Sequence, residues 1–243
     1  LMNNKISLIT GAGSGIGLSI ANKFYMENHT LILLVKTLKQ KKILEKKYNT
    51  KLVKIFYGDL ANYSFINKIA KKIKYVDNLI NNAAVSNQDH LVNVRKKDLD
   101  HLIDLNFKST FLLTQIFTKK MIQKKIKGSV INLSSHLGHI GAYNRTAYCA
   151  SKFAVEGFTK AAAMDLGKYG IRINTIAPTK TIVNEKELIL DKKRLEIIRG
   201  KIPSRKFTEK EHVAELCFFL TSVTAQNITG SSIKIDGGWT AGK

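Results

Sequence analysis

A run of glycines set between a strand and a helix constrains this chain more than any other feature. Residues 5–10 read KISLIT, an apolar run that suits a buried strand, and residues 10–17 read TGAGSGIG before the helical stretch LSIANKFYMEN. Glycines let the main chain approach a ligand where a side chain would block it. The helix that follows presents unpaired N–H groups and the positive end of its dipole. Strand, glycine turn and helix in this order predict the first βα unit of a nucleotide-binding sheet, with a pyrophosphate on the helix N-terminus. The spacing is T-G-x-x-x-G-x-G, carried by Gly11, Gly15 and Gly17, because Ile16 stands where G-x-G-x-x-G needs its third glycine. No Gly-Lys-Ser/Thr follows, so the turn is not a P-loop.

The rest of the chain repeats the alternation. TLILLV (30–35), KLVKIFY (51–57), NLI (78–80), GSVINLS (128–134), IRINTIA (171–177) and SSIKID (231–236) read as strands. After the helix that follows the glycine turn, further helices are expected near 38–47, 62–74, 98–126, 146–170 and 209–221, the one at 146–170 (the fifth of the chain) closing on Gly170, while Pro178 stops the sixth strand. Continuous apolar strands between helices predict a parallel sheet covered on both faces. The 243 residues contain no Pro/Gly-rich linker, repeat or low-complexity segment. The expectation is one doubly wound α/β domain over residues 1–243, with a parallel sheet of about seven strands.

Composition removes several other classes. No apolar run is long enough to span a bilayer, and no charged-then-apolar leader opens the residues given, so the expected setting is cytoplasmic. Cys149 and Cys217 are the only cysteines, too few for a disulfide framework or a Cys-rich metal site. The net charge of +22 raises nucleic acid as a partner. Of the 40 basic residues, however, six are Arg and 34 are Lys, spread along the whole chain. Base readout favours Arg and no nucleic-acid motif is present, so no specific nucleic-acid partner is expected.

Tyr148 and Lys152 stand four residues apart in AYCASKFAVEG, inside the predicted fifth helix. Positions i and i+4 share a helix face. An ammonium beside a phenol favours the phenolate, which would bring a tyrosine into general acid–base range. That pairing is the candidate chemistry.

With these motifs in place, the chain resembles the short-chain dehydrogenase/reductase family from Lys5 to Trp239. The marks occur in order: the glycine turn, GDL with Asp59 and Leu60, NNAA (81–84), Asn106, INLSS with Ser135 thirteen residues before Tyr148, IRINTIAP, and DGG (236–238). The resemblance implies a Rossmann-like fold and hydride transfer between a nicotinamide and a carbonyl or alcohol carbon. It makes Tyr148 the proton donor and Ser135 the hydrogen-bond donor to the substrate oxygen. Lys152 is then the group that lowers the tyrosine pKa and binds the nicotinamide ribose, and Asn106 the holder of a relay water. It assigns cofactor contacts to Gly11, Ser14, Gly15, Ile16, Gly17, Lys36, Asp59, Leu60, Asn82, Tyr148, Lys152, Pro178 and Thr181. NAD-preferring members carry an acid at the end of the second strand. Here Val35 stands there and Lys36 follows, which favours NADP(H) with NAD(H) possible, although Ser14 offers no charge where some NADP-preferring members carry Arg.

The substrate loop is expected at about 179–207. It departs from the family pattern at Thr179, usually Gly, and at Val183, usually Thr. The PT pair and the ending DGGWTAG look like enzymes of sugars, sugar acids and related hydroxy compounds. SRKF and DGG look equally like 3-oxoacyl-carrier-protein reductases. A catalytically idle NADP-binding regulatory protein is the reading from another class. The resemblance also implies a homo-oligomer, a tetramer or dimer, and Ala150, Ala154, Gly157, Ala161 and Ala162 suit close helix packing.

Overall fold

The structure, a computed structural model, describes residues 4–48, 51–182 and 192–242. Seven parallel strands form one sheet: β1 (Ile6–Thr10), β2 (Thr30–Val35), β3 (Val53–Tyr57), β4 (Asn78–Asn81), β5 (Ser129–Leu133), β6 (Arg172–Pro178) and β7 (Ser232–Ile235). Their order is β3-β2-β1-β4-β5-β6-β7. The chain starts in the middle, winds to one edge, then returns and winds to the other. The reversal lies between β1 and β4, and such a switch point opens a crevice at the carboxyl ends of the strands.

Strand residues alternate between two cores because side chains on a strand point to opposite faces. In β2, Leu31, Leu33 and Val35 pack with α1 (Gly15–Met26), α2 (Leu38–Lys47) and α8 (Lys210–Thr221). Ile32 and Leu34 face α3 (Tyr63–Lys72), α5 (Ser109–Gln123) and α6 (Thr146–Leu166). Burial on both faces is why this strand reads as an unbroken apolar run. Removing one such side chain, Leu33 for example, costs about 2–5 kcal/mol. A polar seam runs under the crevice: Asn81 donates to Thr114 Oγ1 at 3.0 Å and to Asn132 Oδ1 at 2.9 Å, and Asn132 donates to Thr159 Oγ1 at 2.9 Å. It ties β4 and β5 to α5 and α6.

Two expectations need correction. The helix expected over 98–126 is instead α4 (Lys96–Ile103), a π-helical turn at Asp104–Lys108, and α5. The wider turn carries buried Asn106 toward the main chain of Val85. The segment expected to be a substrate loop also holds a helix, α7 (Lys192–Gly200), anchored through buried Leu195. Helix α6 stops at Leu166, and a 3₁₀ turn leads to Gly170, whose φ of +69° completes the expected glycine end.

Candidate active site

The glycine turn leaves β1 directly into α1. Gly11 and Gly15 have φ of +65° and +54°, a region that suits glycine. A Cβ on Gly17 would lie 2.3 Å from the Gly11 carbonyl oxygen and 2.5 Å from Asn82 Nδ2. Asn82 holds the turn from the β4 side, its Nδ2 donating to the carbonyls of Thr10 (2.9 Å) and Gly11 (3.3 Å). Thr10 Oγ1 accepts from the N–H groups of both Asn82 and Ala83 at 2.9 Å. The first turn of α1 holds no acid, and Ser14 makes no side-chain cap, so its N–H groups remain directed at the crevice. That cradle, which a single added methyl would fill, fits a dinucleotide pyrophosphate.

A cleft of about 310 Å³ continues from the turn, lined by Gly11, Ser14, Ile16, Gly17 and Asn82 and, further out, by Lys36, Asp59 and Leu60. Lys36 Nζ lies 3.8 Å from Asp59 Oδ2, both side chains well exposed, and no carboxylate stands at the end of β2. Gln40 also lines this cleft and was missed in the sequence. Its side-chain oxygen accepts from the N–H groups of Lys36 and Thr37, while Thr37 Oγ1 accepts from Gln40 N, a capping box that starts α2. The T-x-x-Q spacing is the signal that could have found it.

The remaining candidates do not line that cleft: Asn106 sits in the π-helical turn between β4 and β5, and the others follow β5 or lie at or beyond the end of β6. Ser135 follows β5 and accepts from Leu137 N at 3.2 Å. Tyr148 and Lys152 share one face of α6, with Lys152 Nζ 5.7 Å from the tyrosine ring centre. Lys152 is buried and donates to the Leu133 carbonyl at 2.7 Å. Asn106 accepts from Val85 N at 2.8 Å and donates to Val85 O at 2.9 Å and Ser151 Oγ at 3.1 Å. Ser151 precedes Lys152, so the π-helical turn is pinned to the face that carries the pair. Pro178 ends β6, and its carbonyl lies 3.3 Å from His136 Nδ1. Thr181 is buried and donates to the Thr179 carbonyl at 3.3 Å. Thr179 has no left-handed backbone angle, so the glycine usual there is not required. Val183 lies outside the described residues. His136, its ring tilted against that of Trp239 with centroids 4.6 Å apart, was not anticipated and carries no motif that would have marked it.

The electrostatics correct one expectation. The i,i+4 spacing predicts that Lys152 draws the Tyr148 pKa down. Burial instead raises Tyr148 above 10, and the groups that oppose this are the Ser135 hydroxyl, hydrogen-bonded to it, and Arg145. Burial also brings Lys152 down to about 8, against the pull of Glu156. A cation held in low dielectric loses its own proton more readily, which the spacing alone does not reveal. The unfolded chain keeps the Lys152 proton to about 10.4, whereas the folded chain releases it near 8. Between those values unfolding takes up a proton, so stability should rise with pH relative to Lys152→Met. Denaturant melts of both proteins at pH 7.5 and 10.5 measure the gain, expected at up to about 3 kcal/mol.

Fold and site together define a dinucleotide-binding oxidoreductase architecture with a Ser–Tyr–Lys set at the carboxyl edge of the sheet. A family model described as "Enoyl-(Acyl carrier protein) reductase" matches residues 11–240. The 3-oxoacyl-[acyl-carrier-protein] reductase FabG of Rickettsia typhi is 35% identical over 236 residues, covering 96% of each chain. Carbonyl reductase [NADPH] 2 of Sus scrofa is 28% identical over 97% of this chain and 96% of its own. A solved 4-hydroxyisoleucine dehydrogenase complexed with NADH superposes with a TM-score of 0.92 at 30% identity, over 99% of this chain and 100% of that one. The chain belongs to the short-chain dehydrogenase/reductase family of NAD(P)-dependent oxidoreductases.

Proposed function

We propose that this protein reduces a ketone, or oxidises the matching secondary alcohol, of a sugar, sugar acid or similar hydroxy compound with NADP(H). The observation that carries it is the approach of Ser135 to the Tyr148 phenol on the helix face that also buries Lys152. When bound, the nicotinamide supplies or accepts the hydride. In reduction the Ser135 hydroxyl donates to the substrate carbonyl oxygen and holds it as charge develops. Tyr148 then delivers its Oη proton to that oxygen, and in oxidation the phenolate takes it back. Lys152 keeps a positive field beneath the phenol below about pH 8 and is the group suited to the ribose hydroxyls. Asn106 engages Val85 and Ser151 through both ends of its amide, and one lone pair of Oδ1 remains for a relay water.

The second reading is a 3-oxoacyl-carrier-protein reductase, favoured by the 35% identity to the Rickettsia typhi enzyme over nearly full length. The retained Ser135–Tyr148–Lys152 set weighs against an idle regulatory protein. Turnover of NADPH and NADH with a panel of sugar acids, sugars, simple ketones and 3-oxoacyl thioesters tests all three. Turnover confined to thioesters selects the second reading, and none with any substrate selects the third.

Preference for NADP(H) rests on Lys36 and on the missing carboxylate at the end of β2. Lys36→Asp should lower the NADPH-to-NADH ratio of kcat/KM by about tenfold or more, since an ionic contact is replaced by repulsion. An unchanged ratio would make Lys36 one surface lysine among many. The setting is proposed as cytoplasmic, in keeping with two free, buried cysteines. A homotetramer or dimer is proposed from α5 and α6, where Phe111, Phe153 and Met164 are exposed beside the small residues of α6. Light scattering at micromolar concentration should give a mass above that of one chain. Among the described residues, no helix is long and apolar enough to cross a membrane, and no His, Cys, Asp or Glu group gathers to hold a metal ion.

A further inference from the structure

We infer that His136 is a positioning residue for the reaction: its Nδ1–H fills a lone pair of Ser135 Oγ, so that the serine proton is left for the substrate oxygen. This rests on the oxidoreductase reading above. His136 follows Ser135 and opens the 3₁₀ turn His136–Gly138 after β5. Its ring is buried, with Nδ1 3.4 Å from Ser135 Oγ and 3.3 Å from the Pro178 carbonyl oxygen. The second contact fixes the proton. A carbonyl oxygen only accepts, and a bare Nδ1 would turn its lone pair toward the lone pairs of that oxygen. Nδ1 therefore carries hydrogen, in the neutral ring and the imidazolium alike, and shares it between the two oxygens.

That direction decides what Ser135 can do. A serine hydroxyl has two lone pairs and one proton. Leu137 N, 3.2 Å away, donates into one lone pair as the turn starts, and His136 donates into the other. With both acceptor positions filled, the hydroxyl is left as a donor, the role that a developing oxyanion needs. The same direction holds at Tyr148, whose phenolate the Ser135 hydroxyl favours. The opposite arrangement is a histidine base that takes the serine proton and makes a nucleophile. It needs a bare Nδ1, which the Pro178 carbonyl excludes.

The fold holds this ring from two sides. Main-chain pairing of β5 with β6 reaches Ser134 N, which donates to the Ile176 carbonyl at 2.8 Å. The His136 side chain carries the link two residues further along β6, to Pro178. On the other side the Trp239 ring lies against it, the two planes at 38°. Asp236 shapes the turn that presents Trp239, accepting from Gly238 N and Thr240 N at 3.0 Å and from Thr240 Oγ1 at 2.6 Å. Against the upward push of burial, the Thr240 hydroxyl, the N–H groups of Thr240 and Gly238, and His136 hold the Asp236 carboxyl below the usual range. The C-terminal turn thus helps to set the Ser135 hydroxyl.

The test separates the ring from its proton. His136→Phe keeps a ring against Trp239 but has no N–H, whereas His136→Asn loses the ring and keeps an amide donor near the place of Nδ1. With NADPH and the fastest ketone of the panel above, His136→Phe should lower kcat by about tenfold, the scale of one hydrogen bond. Its NADPH dissociation constant should stay within about twofold of wild type, and His136→Asn should recover kcat to within about threefold. Because the effect runs through Ser135, His136→Phe should cost less than about twofold more in a Ser135→Ala background. A full tenfold loss in that background, or Asn no better than Phe in melts-verified folded proteins, overturns the inference. Heteronuclear NMR of ring-labelled histidine in the wild type reads the proton without turnover. Hydrogen on Nδ1 of His136 is expected, and a neutral ring protonated at Nε2 overturns the inference. A wild type that turns over no substrate sinks the oxidoreductase reading and this role with it, whereas turnover with an Nε2–H ring sinks this role alone.

Discussion

Tyr148→Phe should lower kcat by at least about 10²–10⁴-fold, the contribution typical of a positioned general acid, while NADPH still binds. Only the hydroxyl is lost, and the ring keeps its place on α6 above Lys152. Because burial raises the Tyr148 pKa above 10, alcohol oxidation in the wild type should climb with pH into the alkaline range as the phenolate forms. The residual rate of the variant should lose that climb. In the direction of reduction the neutral phenol is the acid, so the wild-type rate should hold up to high pH unless loss of the Lys152 charge near 8 intervenes. A variant keeping about a tenth of wild-type kcat, with the same pH profile, would mean that the proton comes from another group.

Gly17→Ala should weaken NADPH binding by roughly 10- to 100-fold or more, since overpacking against main chain costs about 1–3 kcal/mol. The added Cβ would meet the Gly11 carbonyl oxygen at 2.3 Å and Asn82 at 2.5 Å, so the turn itself must shift. A carbonyl on the main chain cannot swing aside as the end of a flexible side chain can. Gly167→Ala is the matched control, because a Cβ there meets nothing within 4 Å. Fluorescence titration of NADPH against both variants, with thermal melts alongside, separates loss of the cradle from loss of the fold. A dissociation constant within about twofold of wild type for Gly17→Ala would remove the glycine turn from the binding account.

Much of this architecture could be read in the residues because burial leaves a pattern. β2 and β5 are covered on both faces, so TLILLV and SVINL are nearly continuous apolar runs, and their alternation with helices dictates a parallel sheet. The glycine turn was legible for a related reason: only glycine fits the angles of Gly11 and Gly15 and the contact at Gly17 without strain. The π-helical turn at Asn106 was not legible. It depends on pairing with Val85, 21 residues away, and a one-residue widening leaves no mark in the periodicity. Helix α7 was hidden for lack of an apolar stripe, since Leu195 alone is buried in KKRLEIIRG. The spacing of Tyr148 and Lys152 correctly predicted their shared face. It could not predict that the protein interior would set the direction of both pKa values, because depth of burial is a property of the folded chain.

In the proposed reaction a hydride passes between a nicotinamide and a substrate carbon, with Tyr148 handling the proton. NADPH carrying deuterium at the transferable C4 position, incubated with oxo sugar acids and 3-oxoacyl thioesters, tests it most directly. The account predicts deuterium on the carbinol carbon of the product, and loss of nearly all labelled product in Tyr148→Phe. Unlabelled product, or equal labelling by wild type and Tyr148→Phe, would contradict it.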